Sequence, residues 1–177
     1  MNNLIIEYNN VLSDIICDDI IEKFYEDKHI EKNHFIIPKN NKKWEKIEHC
    51  LYKQLLISIK KYYNAILNFN TLTSNELCKY LNNNIITNDF IIYSINPFIN
   101  SINCNSFIKN HSRYNILTYI FYLNDLEDGG ITEIEDNIIQ PKKGKMIISP
   151  FDFKKIIKNT TDKNLYILYG EICYYNN

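Results

Sequence analysis

Glycine and proline are scarce in this chain of 177 residues, four of each, and alanine and arginine occur once apiece, at Ala65 and Arg113. With so little Gly, Pro or Ser-rich sequence there is no linker to divide the chain, so residues 1–177 read as a single domain. No apolar run approaches the roughly 20 residues that a membrane-spanning helix needs. The N-terminus, MNNLIIEYNN, lacks a basic segment ahead of an apolar stretch, and no signal peptide is expected. Neither sign of charge is in excess: 20 Lys and Arg stand against 21 Asp and Glu, for a net charge of −1. That balance removes the electrostatic case for nucleic acid or an anionic membrane as partner. CxxC pairs are also missing. The five cysteines, Cys17, Cys50, Cys78, Cys104 and Cys173, are odd in number and widely spaced, which suits reduced thiols and a cytoplasmic location.

What the chain has in abundance is Asn and Ile, together roughly a third of all residues. Both have AT-rich codons, as do Lys, Tyr and Phe, whereas Gly, Ala, Pro and Arg have GC-rich ones. The skew points to an AT-rich genome such as a parasite or a large DNA virus carries, and in the viral case to the host cytoplasm. Against such a bias, the positions of the few Gly and Arg residues become informative.

The first half, residues 1–84, reads as mainly helical. A short strand is expected at Leu4–Tyr8. Ser13 is a suitable N-cap for a helix with Asp14, Asp18 and Asp19 near its positive end and Ile16, Ile20 and Phe24 along one face. After a loop at Pro38 and Asn40–Lys43, the spacing of Trp44, Ile47, Leu51, Leu55, Ile59, Tyr62 and Ile66 predicts a long amphipathic helix. A short helix is expected at Ser74–Leu81, ended by Asn82–Asn84. From residue 85 the period changes to short β-branched runs, at Ile91–Ile95, Ile116–Leu123, Met146–Ile148 and Leu165–Cys173. Turn signals separate them at Asn96-Pro97, Asp128-Gly129-Gly130, Pro141 and Lys143-Gly144. Helices followed by many short strands imply an α+β fold.

Five stretches carry a resemblance. Arg113-Tyr-Asn-Ile-Leu-Thr118-Tyr-Ile-Phe-Tyr-Leu123-Asn124 is followed by Asp128-Gly129-Gly130-Ile-Thr132-Glu133 and by Pro141-Lys-Lys-Gly144-Lys-Met-Ile-Ile148. Val11–Ile21 precedes them, and Leu165–Leu168 closes the series. In this order they resemble the R-x-x-T-x-x-x-YLN strand, the GGxT turn, the PkkG turn, the opening helix and the closing strand of the 2-oxoglutarate/Fe(II)-dependent oxygenases, in the prolyl-4-hydroxylase-like branch. The resemblance covers nearly the whole chain. It implies a double-stranded β-helix, or jelly roll, over residues 85–177, braced by N-terminal helices.

The same resemblance implies where the chemistry would sit. These oxygenases hold Fe(II) with an H-x-D/E pair and a distal His, a facial triad that leaves positions open for 2-oxoglutarate and oxygen. Alignment back from Arg113 puts the pair at Asn103 and Asn105, and alignment back from the closing strand puts the distal His at Lys155. Carboxamides are poor Fe(II) ligands and an ammonium repels a cation. Independently of any alignment, the last histidine of the chain is His111, ahead of the GGxT turn, so no distal His can follow it. Leu165 occupies the position of the basic residue that would anchor 2-oxoglutarate. Lys163, two residues earlier, is the alternative anchor under a slipped register.

Several residues keep two readings. Asn103 and Asn105 are either loop residues of an Asn-rich chain or members of a remodelled pocket, in which their carboxamide oxygens would solvate the Lys155 ammonium. Thr118 and Tyr122 either line the former cosubstrate cavity or pack the core. Arg113 is expected to be structural and paired, as are Gly129, Gly130, Thr132 and Gly144 as parts of the motifs. Lys142, Lys143 and Lys145 read as a solvated turn, Cys104 as an inert thiol, and His29, His34 and His49 suggest no metal site.

The expectation for function is a catalytically degenerate oxygenase-fold protein that binds another protein, with no cofactor. The alternatives are an active dioxygenase that holds Fe(II) and 2-oxoglutarate through other ligands, such as Asp152, Glu133 or His111, and a structural jelly-roll protein.

Overall fold

The computed structural model describes residues 4–27, 34–67, 85–87, 90–95, 102–103 and 113–175. Within them the chain runs β1 (Ile6–Tyr8), α1 (Asp14–Glu26), β2 (His34–Ile36), α2 (Glu45–Leu67), β3 (Ile85–Thr87), β4 (Ile91–Ile95), β5 (Ile102–Asn103) and β6 (Arg113–Tyr122). It continues with β7 (Thr132–Ile134), β8 (Asn137–Ile139), β9 (Met146–Pro150), β10 (Lys155–Ile157) and β11 (Leu165–Tyr175). The helix expected at Ser74–Leu81 lies outside the described residues, as do Cys104, Asn105 and His111.

All the strand pairs are antiparallel and form two sheets. The larger runs β1-β9-β6-β11-β4-β2, with β3 also pairing the far end of β11, and the smaller runs β5-β10-β7-β8. The long central strands β6 and β11 are buried on both faces, which is why their sequences are near-continuous apolar runs rather than alternations. Tyr119 and Phe121 of β6, Met146 and Ile148 of β9, and Leu168 and Ile172 of β11 point to the helices. Ile120, Tyr122, Ile147, Leu165, Ile167 and Tyr169 point instead to the smaller sheet, where Ile134, Ile139 and Ile157 meet them. The second cluster is the interior of the jelly roll, so the expected α+β architecture with a double-stranded β-helix core is the one observed.

The helices form where their caps and stripes predict. The Ser13 side chain accepts the Ile16 N–H at the start of α1, and Cys17, Ile20 and Phe24 face inward. α2 lays Ile47, Leu51, Leu55, Ile59 and Tyr62 on the same layer. The first half is not only a brace, because β1 and β2 extend the larger sheet at both ends. The Pro141–Gly144 turn ties the halves together. Gly144 has φ +75°, and its carbonyl oxygen accepts the N–H groups of Val11 and Leu12 at 2.8 and 3.2 Å. A Cβ there would collide with the Leu12 carbonyl, so this turn, left-handed and pressed against main chain, requires glycine. Lys143 and Lys145 of the turn pair with Asp18 and Glu7 at 2.6 and 2.8 Å, their side chains partly covered.

Candidate functional site

The positions singled out from the sequence fall mainly on strands that bound the jelly-roll interior. β10 is a strand of the smaller sheet, flanked by β5 on one side and β7 on the other. Its register sets Ile156 opposite both Asn103 and Glu133, and Lys155 opposite Ile134. Thus Asn103 and Lys155 stand on adjacent strands, with the Asn103 backbone paired one residue beyond Lys155.

Lys155 is 0% exposed. Its ammonium donates to the carbonyl oxygens of Pro150 (2.7 Å), at the end of β9, and of Phe151 (3.1 Å) and Phe153 (2.7 Å), in the turn that follows. A buried charge is tolerable only when its hydrogen-bonding capacity is met, and an ammonium has three donors to satisfy. Four consecutive residues, 150–153, supply three acceptors. The acceptors of these three hydrogen bonds are main-chain carbonyls, which residue types do not announce; Asn105, the other carboxamide expected near this ammonium, lies outside the described residues.

Leu165 opens β11, fully buried against the interior cluster and opposite Ile95. Lys163 lies in the preceding turn with its side chain exposed, while its main chain bonds Asn159 and Thr161. Thr118 and Tyr122 share the inward face of β6. Thr118 shares a hydrogen bond with Ser149 across the strand pair (3.1 Å). The Tyr122 hydroxyl reaches across to the smaller sheet and donates to Thr132 Oγ1 at 2.5 Å. The tyrosine of the long strand and the threonine of the GGxT turn are therefore partners, which their separate motifs did not reveal. Gly129 and Gly130 precede Thr132 with φ +83° and +66°. Arg113 begins β6 opposite Tyr175.

Glu171 and Asn159 are buried polar residues that the sequence motifs do not single out. Glu171, 3% exposed, is in register with Thr118, which is in turn opposite Ser149, so the three form one row across β11, β6 and β9. Its carboxylate accepts from Asn115 Nδ2 (2.8 Å) and from the Tyr169 hydroxyl (3.3 Å), and Cys173 donates to the Asn115 oxygen. An acidic residue in mid-strand at an inward position is the signal that could have found it. Asn159 is buried in the turn after β10. Its amide donates to the carbonyls of Ile95 (2.7 Å) and Lys163 (2.8 Å), and its oxygen accepts from Thr161. Its type and position alone do not separate it from the other Asn residues of the chain.

The described residues do not fit an Fe(II) site. No group of three or more His, Cys, Asp or Glu side chains among them could hold a metal ion. Of the alternative ligands among the described residues, Glu133 pairs with Lys158 at 2.5 Å and Asp152 is exposed in the turn after β9. The Lys155 ammonium has no lone pair to offer a metal ion, and the Leu165 side chain carries no charge to pair with a carboxylate.

No protein-family model and no curated protein matches the chain. Solved structures do. The viral collagen prolyl hydroxylase of Paramecium Bursaria Chlorella virus-1 superposes with a TM-score of 0.68 at 14% identity, covering 98% of this chain and 91% of that one. The Pseudomonas putida prolyl-4-hydroxylase gives 0.62 at 10% identity, over 98% and 94%. The Trichoplax adhaerens prolyl hydroxylase, in complex with a hypoxia inducible factor oxygen degradation domain peptide fragment, gives 0.63 at 12% identity, over 98% and 84%. At these identities the likeness concerns the backbone: the chain has the fold of prolyl 4-hydroxylase-like 2-oxoglutarate/Fe(II) oxygenases.

Proposed function

We propose that this protein is a catalytically degenerate form of that fold and acts by binding another protein. The observation that carries the reading is Lys155. A side chain buried inside the barrel, with its ammonium on three carbonyl oxygens, stands at the position to which the motif alignment assigns the distal metal ligand. Three further observations support it. No histidine follows His111, the position that the motif alignment assigns to the anchor is a buried Leu165, and the interior row of Thr118, Ser149 and Glu171 is engaged in internal hydrogen bonds.

A protein partner is the choice favoured by chemistry. The near-zero net charge gives no attraction to polyanions, and Ile138 on the outer strand β8 and Ile15 on α1 expose large apolar side chains, 67% and 79% accessible. The Trichoplax neighbour holds a peptide, and we extend peptide or protein binding, without turnover, to this chain. The unbridged thiols of Cys17 and Cys50 suit a reducing compartment, for which we propose the cytoplasm.

The test is a succinate-release assay with 2-oxoglutarate, Fe(II), ascorbate and proline-containing peptides. No release above a no-enzyme control is expected, while an authentic prolyl hydroxylase under the same conditions turns over. Turnover by this chain would sink the proposal.

A further inference from the structure

The turn between β9 and β10 is a cation receptor built from main chain. Three carbonyl oxygens, of Pro150 at the end of β9 and of Phe151 and Phe153 in the turn, converge within 2.7–3.1 Å of one point, occupied by the Lys155 nitrogen. Three carbonyl dipoles aimed at the same point repel one another unless a positive charge sits between them. The arrangement is local, since the side chain that fills the receptor follows the turn directly, and it is sealed, since Lys155 is fully buried. On either side of Lys155 the barrel is pinned by strand pairing, to β5 at Ile156 and to β7 at Ile134.

We infer that Lys155 is a tethered internal cation whose charge organises the β9–β10 turn, so that this end of the barrel is held by a covalently supplied ammonium and not by a bound metal. The inference rests on the degenerate reading for the idea that the ammonium has taken a metal's place; the receptor itself rests only on the geometry. It explains why the site can lose its metal ligands and still close: the positive charge at this strand comes with the chain and needs no loading.

Chemical rescue tests it. Lys155→Ala removes the equivalent of propylammonium from the receptor. The full-length variant is expected to lose about 5 °C or more of melting temperature. Propylammonium chloride should restore most of that loss, while 1-propanol at the same concentration and sodium chloride at the same ionic strength should not. An unchanged melting temperature, or equal recovery with propanol, would overturn the inference. Should Lys155→Ala fail to fold, Lys155→Met keeps a stem of similar length and deletes the ammonium with its charge and donors. Faster amide exchange across residues 151–154 than in the wild type is then expected, and unchanged exchange overturns the inference. Iron binding with turnover by the wild-type chain would instead remove the degenerate reading, whatever the rescue shows. A flat response of Lys155→Ala would remove the internal cation and leave the degenerate reading standing.

Discussion

Gly170 lies directly opposite Tyr119 in the β6–β11 ladder, and the tyrosine ring and hydroxyl fill the space that any side chain at 170 would need. Tyr119 has little room to yield, because its ring packs edge-on against both Phe90 and Phe121. This glycine is therefore kept for volume. Gly170→Ala should destabilise the protein by about 1–3 kcal/mol, as overpacking of a filled core does. Urea denaturation measures it, and an unchanged midpoint would show that Tyr119 can move aside.

Asn159 joins the end of β4 to the turn between β10 and β11 through both halves of its amide. Asn159→Ala leaves buried main-chain groups unpaired and should cost about 1–3 kcal/mol. Asn159→Asp should be worse than alanine at neutral pH, because a carboxylate oxygen would face the Ile95 and Lys163 carbonyls that the amide nitrogen now serves. Equal stability of the two variants in urea would contradict this assignment.

The end of α1 and the start of α2 meet at Asp27. Its carboxylate takes the indole N–H of Trp44 at 2.6 Å and the Lys43 ammonium. Trp44, the single tryptophan, is fully buried and stacks beside Phe35. Asp27→Ala should cost about 1–3 kcal/mol by orphaning the indole donor, and Asp27→Asn, which keeps an acceptor, markedly less. Trp44 emission should shift to the red in the alanine variant. Unaltered emission and stability would place the indole donor elsewhere.

Burial pushes the Cys17 thiol up to about 11, against an ordinary value of 9.0, and the Tyr8 hydroxyl up to about 12. The folded chain therefore holds these protons more tightly than the unfolded chain. Their contribution to stability is complete below the unfolded values and is lost as pH rises through the folded ones. For Cys17 the window runs from about pH 9 to about pH 11. Urea midpoints should fall across it, with a shallower fall in Cys17→Ala. Identical slopes in the two proteins would remove Cys17 as a source of the pH dependence.

Which parts of this fold could be read from the sequence follows from what stabilises each element. The Ser13 cap, the α2 stripe and the apolar runs of β4, β6, β9 and β11 are local signals, and the elements appear where those signals stand, to within a few residues. β2, β5, β7, β8 and β10 have only two or three residues each, and their conformation is imposed by the partner strands. Their sequences, such as Lys155-Ile-Ile157 or Asn137-Ile-Ile139, carry no pattern long enough to read. At the site, position 155 was reached by counting back from the closing strand. The carbonyls that solvate it belong to main chain, which has no residue type to recognise. Glu171 and Tyr122–Thr132 escaped notice for a related reason: their partners are set by strand register across sheets.

Anaerobic titration of the protein with Fe(II), and with Mn(II) as a redox-inert substitute, in the presence of 2-oxoglutarate and followed by calorimetry, is the most direct test of a degenerate metal site. No saturable heat at one metal per chain and no change in melting temperature is expected with either ion. Saturable binding at one metal per chain, strengthened by 2-oxoglutarate, would contradict the degenerate reading.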